Sequence, residues 1–110
     1  MILSHRMKDN ICIIHLEGEC TFEWVKQLDS YCMDLADQVK PGGLVINLEK
    51  VLRIDSAGIG TFAMLTKHLP GKWVLCMAVG DVADALRYVK LDQIIPIFQT
   101  EKEALASFHS

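Results

Sequence analysis

The sequence has no apolar run long enough to cross a bilayer, no cluster of basic residues, and no paired cysteine or histidine motif. Its longest unbroken apolar stretch, Trp73 to Val79, is seven residues, against the roughly 18 to 20 that a membrane-spanning helix needs. No direct membrane insertion is expected. The opening "MILSHRMKDN" turns polar by residue 4 and offers no apolar core of a signal peptide, so a cytoplasmic location is expected. With no run of Lys or Arg and a formal net charge of −3, the chain lacks the electrostatic footprint for a phosphate backbone, and no nucleic acid partner is expected. Cys12, Cys20, Cys32 and Cys76 show no CxxC spacing and lie within or beside apolar stretches, where a reduced cysteine acts as a small hydrophobe. His5, His15, His68 and His109 form no HxxxH pair. Neither a metal nor a cofactor is therefore expected.

What is present is the material of one small domain. The chain has 110 residues, 51% hydrophobic and 23% charged, enough for a single core and too few for two. No internal repeat, low-complexity segment or linker divides it, so residues 1–110 are expected to form one domain. "MILSHRM" and "ICIIHLEG", separated by the turn formers of "KDN", predict an antiparallel hairpin. From Phe22 the period changes: Phe22, Val25, Leu28, Cys32, Leu35, Ala36 and Val39 form one helical stripe. Thr21 stands as its N-cap and "PGG" at 41–43 as its stop. Trp24 and Tyr31 lie at the border of the stripe. "LVINL", 44–48, reads as a strand covered on both faces, and "EKVLRIDS" as a connection.

A second helix begins at Ser56, with Ile59, Phe62, Ala63, Thr66 and Leu69 inward, and ends before Pro70-Gly71. "WVLCMAV" is the next strand. Asp81 then caps a short helix that turns Val82, Ala85, Leu86 and Val89 inward. "IIPIFQ" is a last strand, shortened or displaced to an edge by Pro96. Thr100 and Glu103 form a capping box before a C-terminal helix. The order β-β-α-β-α-β-α-β-α predicts an α/β fold: a mixed, mostly parallel five-stranded sheet with an antiparallel N-terminal strand and about four helices.

The chemistry concentrates in "LEKVLRIDSAGIGTFAML", residues 48–65. Ser56 at a strand-to-helix turn suggests a nucleophile elbow, G-x-S-x-G, yet Ile54 stands where the first glycine belongs. His68 sits at the far end of the helix that Ser56 opens, roughly 15 Å away. Catalysis by Ser56 is not expected, and no catalytic residue is assigned. Gly58, Gly60 and Ala63 satisfy the letters of a dinucleotide fingerprint, G-x-G-x-x-A, with Asp81 about twenty residues on. Ten residues separate Leu48 from Gly58, however, and Asp55 would set a carboxylate beside the incoming pyrophosphate. The remaining reading takes Ser56 as a helix N-cap. Two glycines in the first turn then cost nearly 1 kcal/mol each relative to alanine, more than a purely structural helix should carry. They leave backbone bare at the helix mouth, where a partner or a phosphate can approach.

"NLEKVLRIDSAGIGTF" resembles the D-S-[SAT]-G-[LI]-G signature of STAS domains, the bacterial anti-sigma-factor antagonists. Gly18-Glu19 resembles the start of the family's G-E-L-D segment, and "LRYVKLDQIIPIFQTEKEAL" its C-terminal pattern. The resemblance implies a binding module, not an enzyme. It implies that Ser56 is phosphorylated by an anti-sigma-factor serine kinase of the GHKL ATP-binding type, and that the unphosphorylated form binds this kinase and frees the sigma factor. A phosphatase acting on phosphorylated Ser56 resets the switch. Asp55, Ser56, Ala57, Gly58, Ile59 and Gly60 would then form the partner-binding segment. The chain departs from the pattern at Cys20 and Thr21, where many members have Leu-Asp, and at Ala57, where some have a second hydroxyl. "HLPGKW" is a shorter linker than usual. An alternative use of the same fold is an unmodified STAS scaffold subunit in a lipid-transporting ABC system or a stress-sensing complex. Nucleotide binding in the cleft by Ser56 and Asp81 is a third.

Overall fold

The computed structural model describes residues 1–39, 42–69 and 71–109. Ile2–Lys8 (β1) and Ile11–Cys20 (β2) pair antiparallel, with Ser4 opposite His15. The two residues between them, Asp9 and Asn10, both take positive φ, 50° and 68°, which a two-residue turn matching strand twist requires and which Asp and Asn tolerate. The chain continues through Val25–Val39 (α1), Gly43–Ile54 (β3), Ser56–His68 (α2), Trp73–Cys76 (β4), Gly80–Tyr88 (α3), Ile97–Phe98 (β5) and Glu101–Ala106 (α4). A single 3-10 turn, Leu91–Gln93, follows α3. The sheet order is β1-β2-β3-β4-β5, parallel from β2 onward. The mixed, mostly parallel sheet predicted from the element order is present.

Strands adjacent in this sheet are also adjacent in sequence, so crossovers of one hand carry the connecting helices to a single face. Leu28 and Cys32 of α1, Phe62 and Leu65 of α2, and Val82 and Leu86 of α3 pack there on Cys12, Ile14, Ile46 and Leu75. The other face, built from Ile11, Ile13, Val45, Val74 and Cys76, is covered by Ala104, Leu105 and Phe108. A six-residue helix is too short to hold itself. α4 is held by the Glu101 carboxylate, which meets Arg6 of β1 and accepts from Asn47 Nδ2 of β3 at 3.1 Å. The Thr100 hydroxyl caps it as predicted, accepting from Glu103 N at 3.1 Å and donating to the Glu103 carboxylate at 3.0 Å. All four cysteines are buried and unpaired; burial pushes the thiols of Cys20, Cys32 and Cys76 up to about 12.

The structure corrects the sequence reading at several points. "EKVLRIDS" is not a connection: β3 runs to Ile54, and β2 runs beside it to Cys20. Two register shifts, at His15/Glu17 and Gly18/Glu19, break the alternation, so consecutive exposed residues such as Glu49 and Lys50 disguise the strand. α1 begins at Val25, not Phe22. Thr21 contributes its carbonyl to a turn, accepting from Trp24 N at 2.8 Å, and Phe22 is 77% exposed. Trp24 is partly exposed, while Tyr31 meets His5 Nδ1 at 2.8 Å. The N-cap of α3 is Val79, with Asp81 inside the first turn, and Val89 is exposed rather than inward. In α2, Leu65 is buried and Thr66 exposed, its hydroxyl donating back to the Phe62 carbonyl. β4 stops at Cys76, short of the apolar run's end at Val79: Met77, at φ 61°, turns the chain out of the sheet, and α3 opens at Gly80. The stops assigned to Pro41 and Pro70, and the inward side chain of Val39, lie outside the described residues.

Phe62 is fully buried, with its ring centroid 6.3 Å from that of Trp73. Phe62→Ala is expected to destabilise the domain by about 3–5 kcal/mol in urea unfolding. A cost below about 1 kcal/mol would contradict the packing described.

Candidate functional site

The site is built where β3 ends. Ile54 is the last residue paired to Cys20 of β2, and the next residue, Asp55, keeps an extended backbone with φ −112° and ψ −177°. Its N–H donates to the Cys20 carbonyl at 3.3 Å and its C=O accepts from Ile59 N at 3.0 Å. The carboxylate is divided between two segments: Oδ1 accepts from Gly58 N at 2.9 Å, and Oδ2 accepts from Phe22 N at 3.0 Å. Asp55 is therefore the N-cap of α2 and also the tie between that helix and the loop from β2 to α1. The Gly58 N–H holds the Asp55 carboxyl below its ordinary value. Burial opposes this, and the Phe22, Ala57 and Asp55 amides add to the lowering. Carboxylates that accept several backbone N–H bonds are stabilised as anions in this way.

The assignment of the cap to Ser56 is thus corrected. Asp55, one residue earlier, satisfies the orphan amide, because an aspartate in extended conformation reaches the N–H three residues on. Ser56 is the first residue of α2, exposed, with its hydroxyl outside the cap. Ala57 and Ile59 are half-buried, Ile59 packing against the core. The two glycines differ. A Cβ on Gly58 would stand 2.3 Å from the Cys20 carbonyl oxygen and 2.9 Å from Ile54 Cγ1, whereas one on Gly60 would meet nothing within 4 Å. Close approach of helix to strand requires Gly58; Gly60 leaves the exposed face of the first turn bare.

This geometry also bears on the competing sequence patterns. Gly58 lies four residues beyond the end of β3, nearer than the ten counted from Leu48, as a dinucleotide fingerprint would want. Yet its N–H is already taken by Asp55 and its open side faces Cys20, so it offers nothing to a pyrophosphate. Asp81 is exposed in the first turn of α3 and shares no hydrogen bond with Ser56 among the described residues. His68 is at the opposite end of the 13-residue α2, about 18 Å of helical rise from Ser56. Among the described residues no group of three His, Cys, Asp or Glu side chains is placed to hold a metal ion, and no helix is long and apolar enough to cross a membrane. A cavity of about 560 Å³ is lined by Met33, Ala36, Leu44, Leu69 and Trp73, and Ser56 is not among its lining residues. Ser56 is exposed on the surface.

Sequence reasoning missed Phe22 as part of this site. Its apolar character fitted the helical stripe, and only the pairing of its amide with Asp55 places it here. The exposed serine on an Asp-capped helix, after the central strand of a mixed sheet, marks the chain as a small α/β domain whose candidate site is a helix start. The sequence profile of the STAS domain matches residues 4–104, and the chain belongs to the STAS domain family.

Solved structures agree. An anti-sigma factor antagonist from Mycobacterium paratuberculosis superposes with a TM-score of 0.89 at 20% identity, over 99% of this chain and 94% of that one. The Bacillus cell fate determinant SpoIIAA in its phosphorylated form gives 0.69 at 20% identity, over 96% and 98%. A sulfate transporter family protein from Wolinella succinogenes gives 0.73 at 16% identity, over 94% and 88%. At these identities the likeness establishes the fold. No curated protein sequence matches the chain at a significant level.

The two glycines provide a direct check on the geometry. Gly58→Ala is expected to lower stability by about 1–3 kcal/mol through overpacking against Cys20, while Gly60→Ala is expected to raise it by up to about 1 kcal/mol. Equal effects of the two substitutions in thermal or urea unfolding would contradict the close approach at Gly58.

Proposed function

We propose that this domain is an anti-sigma-factor antagonist switched by phosphorylation of Ser56. In its unphosphorylated form it binds an anti-sigma factor that is also a serine kinase of the GHKL type, and so frees the sigma factor. The Ser56 hydroxyl takes the γ-phosphoryl group of ATP and gives up its proton, ADP leaves, and a phosphatase later removes the phosphate. The domain is then a substrate and a binding module, not a catalyst. The observation that carries this reading is the exposed Ser56 at the start of α2, with the cap supplied by its neighbour Asp55. A hydroxyl not needed for the cap can be modified without dismantling the helix.

The energetics support a switch of the interface with the fold retained. Phosphorylation adds about −1.5 to −2 charge beside Asp55. One pair of like unit charges 5 to 6 Å apart at an effective dielectric of about 20 repels by on the order of 3 kcal/mol, less where water screens it. Attraction to the helix dipole offsets at most about 2 kcal/mol. In a docked complex the phosphate must also be desolvated, and a further ~2.7 kcal/mol corresponds to a 100-fold loss of affinity. A second reading, an unmodified STAS scaffold within a larger assembly, draws support from the shared fold of the sulfate transporter family protein. Retention of a phosphorylatable residue at position 56 favours the switch.

Incubation with ATP and the cognate GHKL-type kinase is expected to add one phosphate by intact mass to the wild-type chain and none to Ser56→Ala. Ser56→Ala should retain kinase binding and Ser56→Asp should lose about 100-fold. Binding of Ser56→Asp as tight as wild type would contradict the switch. Recovery of a transport ATPase with membrane components, in place of a kinase, would favour the scaffold.

A further inference from the structure

We infer that Phe22 is the hydrophobic anchor by which this surface docks its partner, and that the Asp55 carboxylate holds Phe22 in place only while Ser56 is unmodified. The inference rests on the proposed phosphorylation of Ser56. Phe22 lies between the end of β2 and the start of α1, and the residue is 77% exposed, although large apolar residues are usually inside. Its backbone is fixed nonetheless. The Phe22 N–H donates to Asp55 Oδ2 at 3.0 Å, and the turn that contains it is closed by Trp24 N donating to the Thr21 carbonyl at 2.8 Å. An aromatic side chain carried on backbone that is already ordered loses little freedom on burial, the property that distinguishes an anchor from a merely greasy surface.

The surroundings select the partner. Leu52, on β3 three residues before Asp55, is 74% exposed. The charges close to it in the chain and at the site are Glu19, Glu23 and Asp55 against Lys26 and Arg53, the Arg53 guanidinium lying 3.9 Å from Glu19, a small acidic excess. The complement of such a surface is a protein with an apolar socket set beside basic side chains. A kinase that phosphorylates Ser56 must bring the positive groups around its nucleotide phosphates to the start of α2, next to this surface, so the kinase of the proposed switch is the partner that fits it.

A phosphate on Ser56 introduces a second anion beside the Asp55 carboxylate and competes for the same N–H donors. Gly58 N–H is fixed within α2, whereas Phe22 N–H belongs to a loop with no helix of its own. The bond to Phe22 is the one released. Phosphorylation thus acts on the interface twice, by charge at Ser56 and by loosening its anchor.

Amide hydrogen exchange on the free chain, resolved by NMR, tests the coupling. The Phe22 amide is expected to exchange at least about tenfold faster in the Ser56-phosphorylated chain and in Asp55→Asn, while Ile14 and Ile46 in the core keep their protection. Unchanged Phe22 protection in the phosphorylated chain overturns the coupling, even where kinase binding is lost, and leaves the Ser56 switch standing. Phe22→Ala, a surface change, is expected to weaken the unphosphorylated complex with the GHKL-type kinase by about tenfold or more, and Phe22→Leu by less. Wild-type affinity in Phe22→Ala overturns the anchor. A wild-type chain that does not bind the kinase in either state overturns the switch and the anchor together.

Discussion

The Asp55 carboxylate accepts backbone N–H groups from two separate parts of the chain, Gly58 in the first turn of α2 and Phe22 in the loop after β2. The arrangement around Ser56 depends on this division. Were Ser56 itself the cap, its hydroxyl would be turned onto the helix and modification would remove the cap. With Asp55 in that role, the hydroxyl stands free and α2 keeps its start. The same carboxylate draws the helix mouth onto Cys20, which is why Gly58 can bear no side chain.

The position of the site follows from the sheet. β2 and β3 run on together past the end of β4, from Glu17 opposite Lys50 to Cys20 opposite Ile54. This carries Asp55 and Ser56 clear of the strands that follow. In open parallel sheets, ligands meet the protein beyond the carboxyl ends of the strands, and here that end presents a protruding helix start. In the proposed switch, this exposed serine and the exposed Phe22, joined through Asp55, are what a partner protein meets. The opposite end of the sheet is secured differently, through Phe108 against Gly43 and the Lys72 ammonium 4.9 Å from the Phe108 ring.

Much of the fold was legible because its signals are local. Asp9-Asn10 mark the hairpin, the period change after Cys20 marks the first helix, and Thr100 with Glu103 marks the last. The order of elements then restricts the sheet to a mostly parallel arrangement. What escaped depended on contacts distant in sequence. The far half of β3 is disguised by two register shifts, and its residues Glu49, Lys50 and Arg53 look like loop. Phe22 fits an apolar stripe by spacing, but its place is set by Asp55, 33 residues away. The segment from Asp55 to Gly60 was legible as a unit. The division of labour within it was not: which residue caps, which glycine is enclosed and which is open are decided by Cys20 and Phe22 on a neighbouring segment.

The most direct test of this account is the titration of the Asp55 carboxyl carbon by NMR, followed together with the Phe22 and Gly58 amides. The hydrogen bonds from those amides favour the anion, so the folded-state value should lie below that of the unfolded chain, near 3.9 for an ordinary aspartate. Its contribution to stability is then fully present above the unfolded value and is lost as pH falls through the folded one. The account predicts one shared midpoint for the carboxyl and both amides, below the ordinary aspartate value. An Asp55 that titrates at or above that value, with amides that do not follow it, would contradict the central role assigned to this carboxylate.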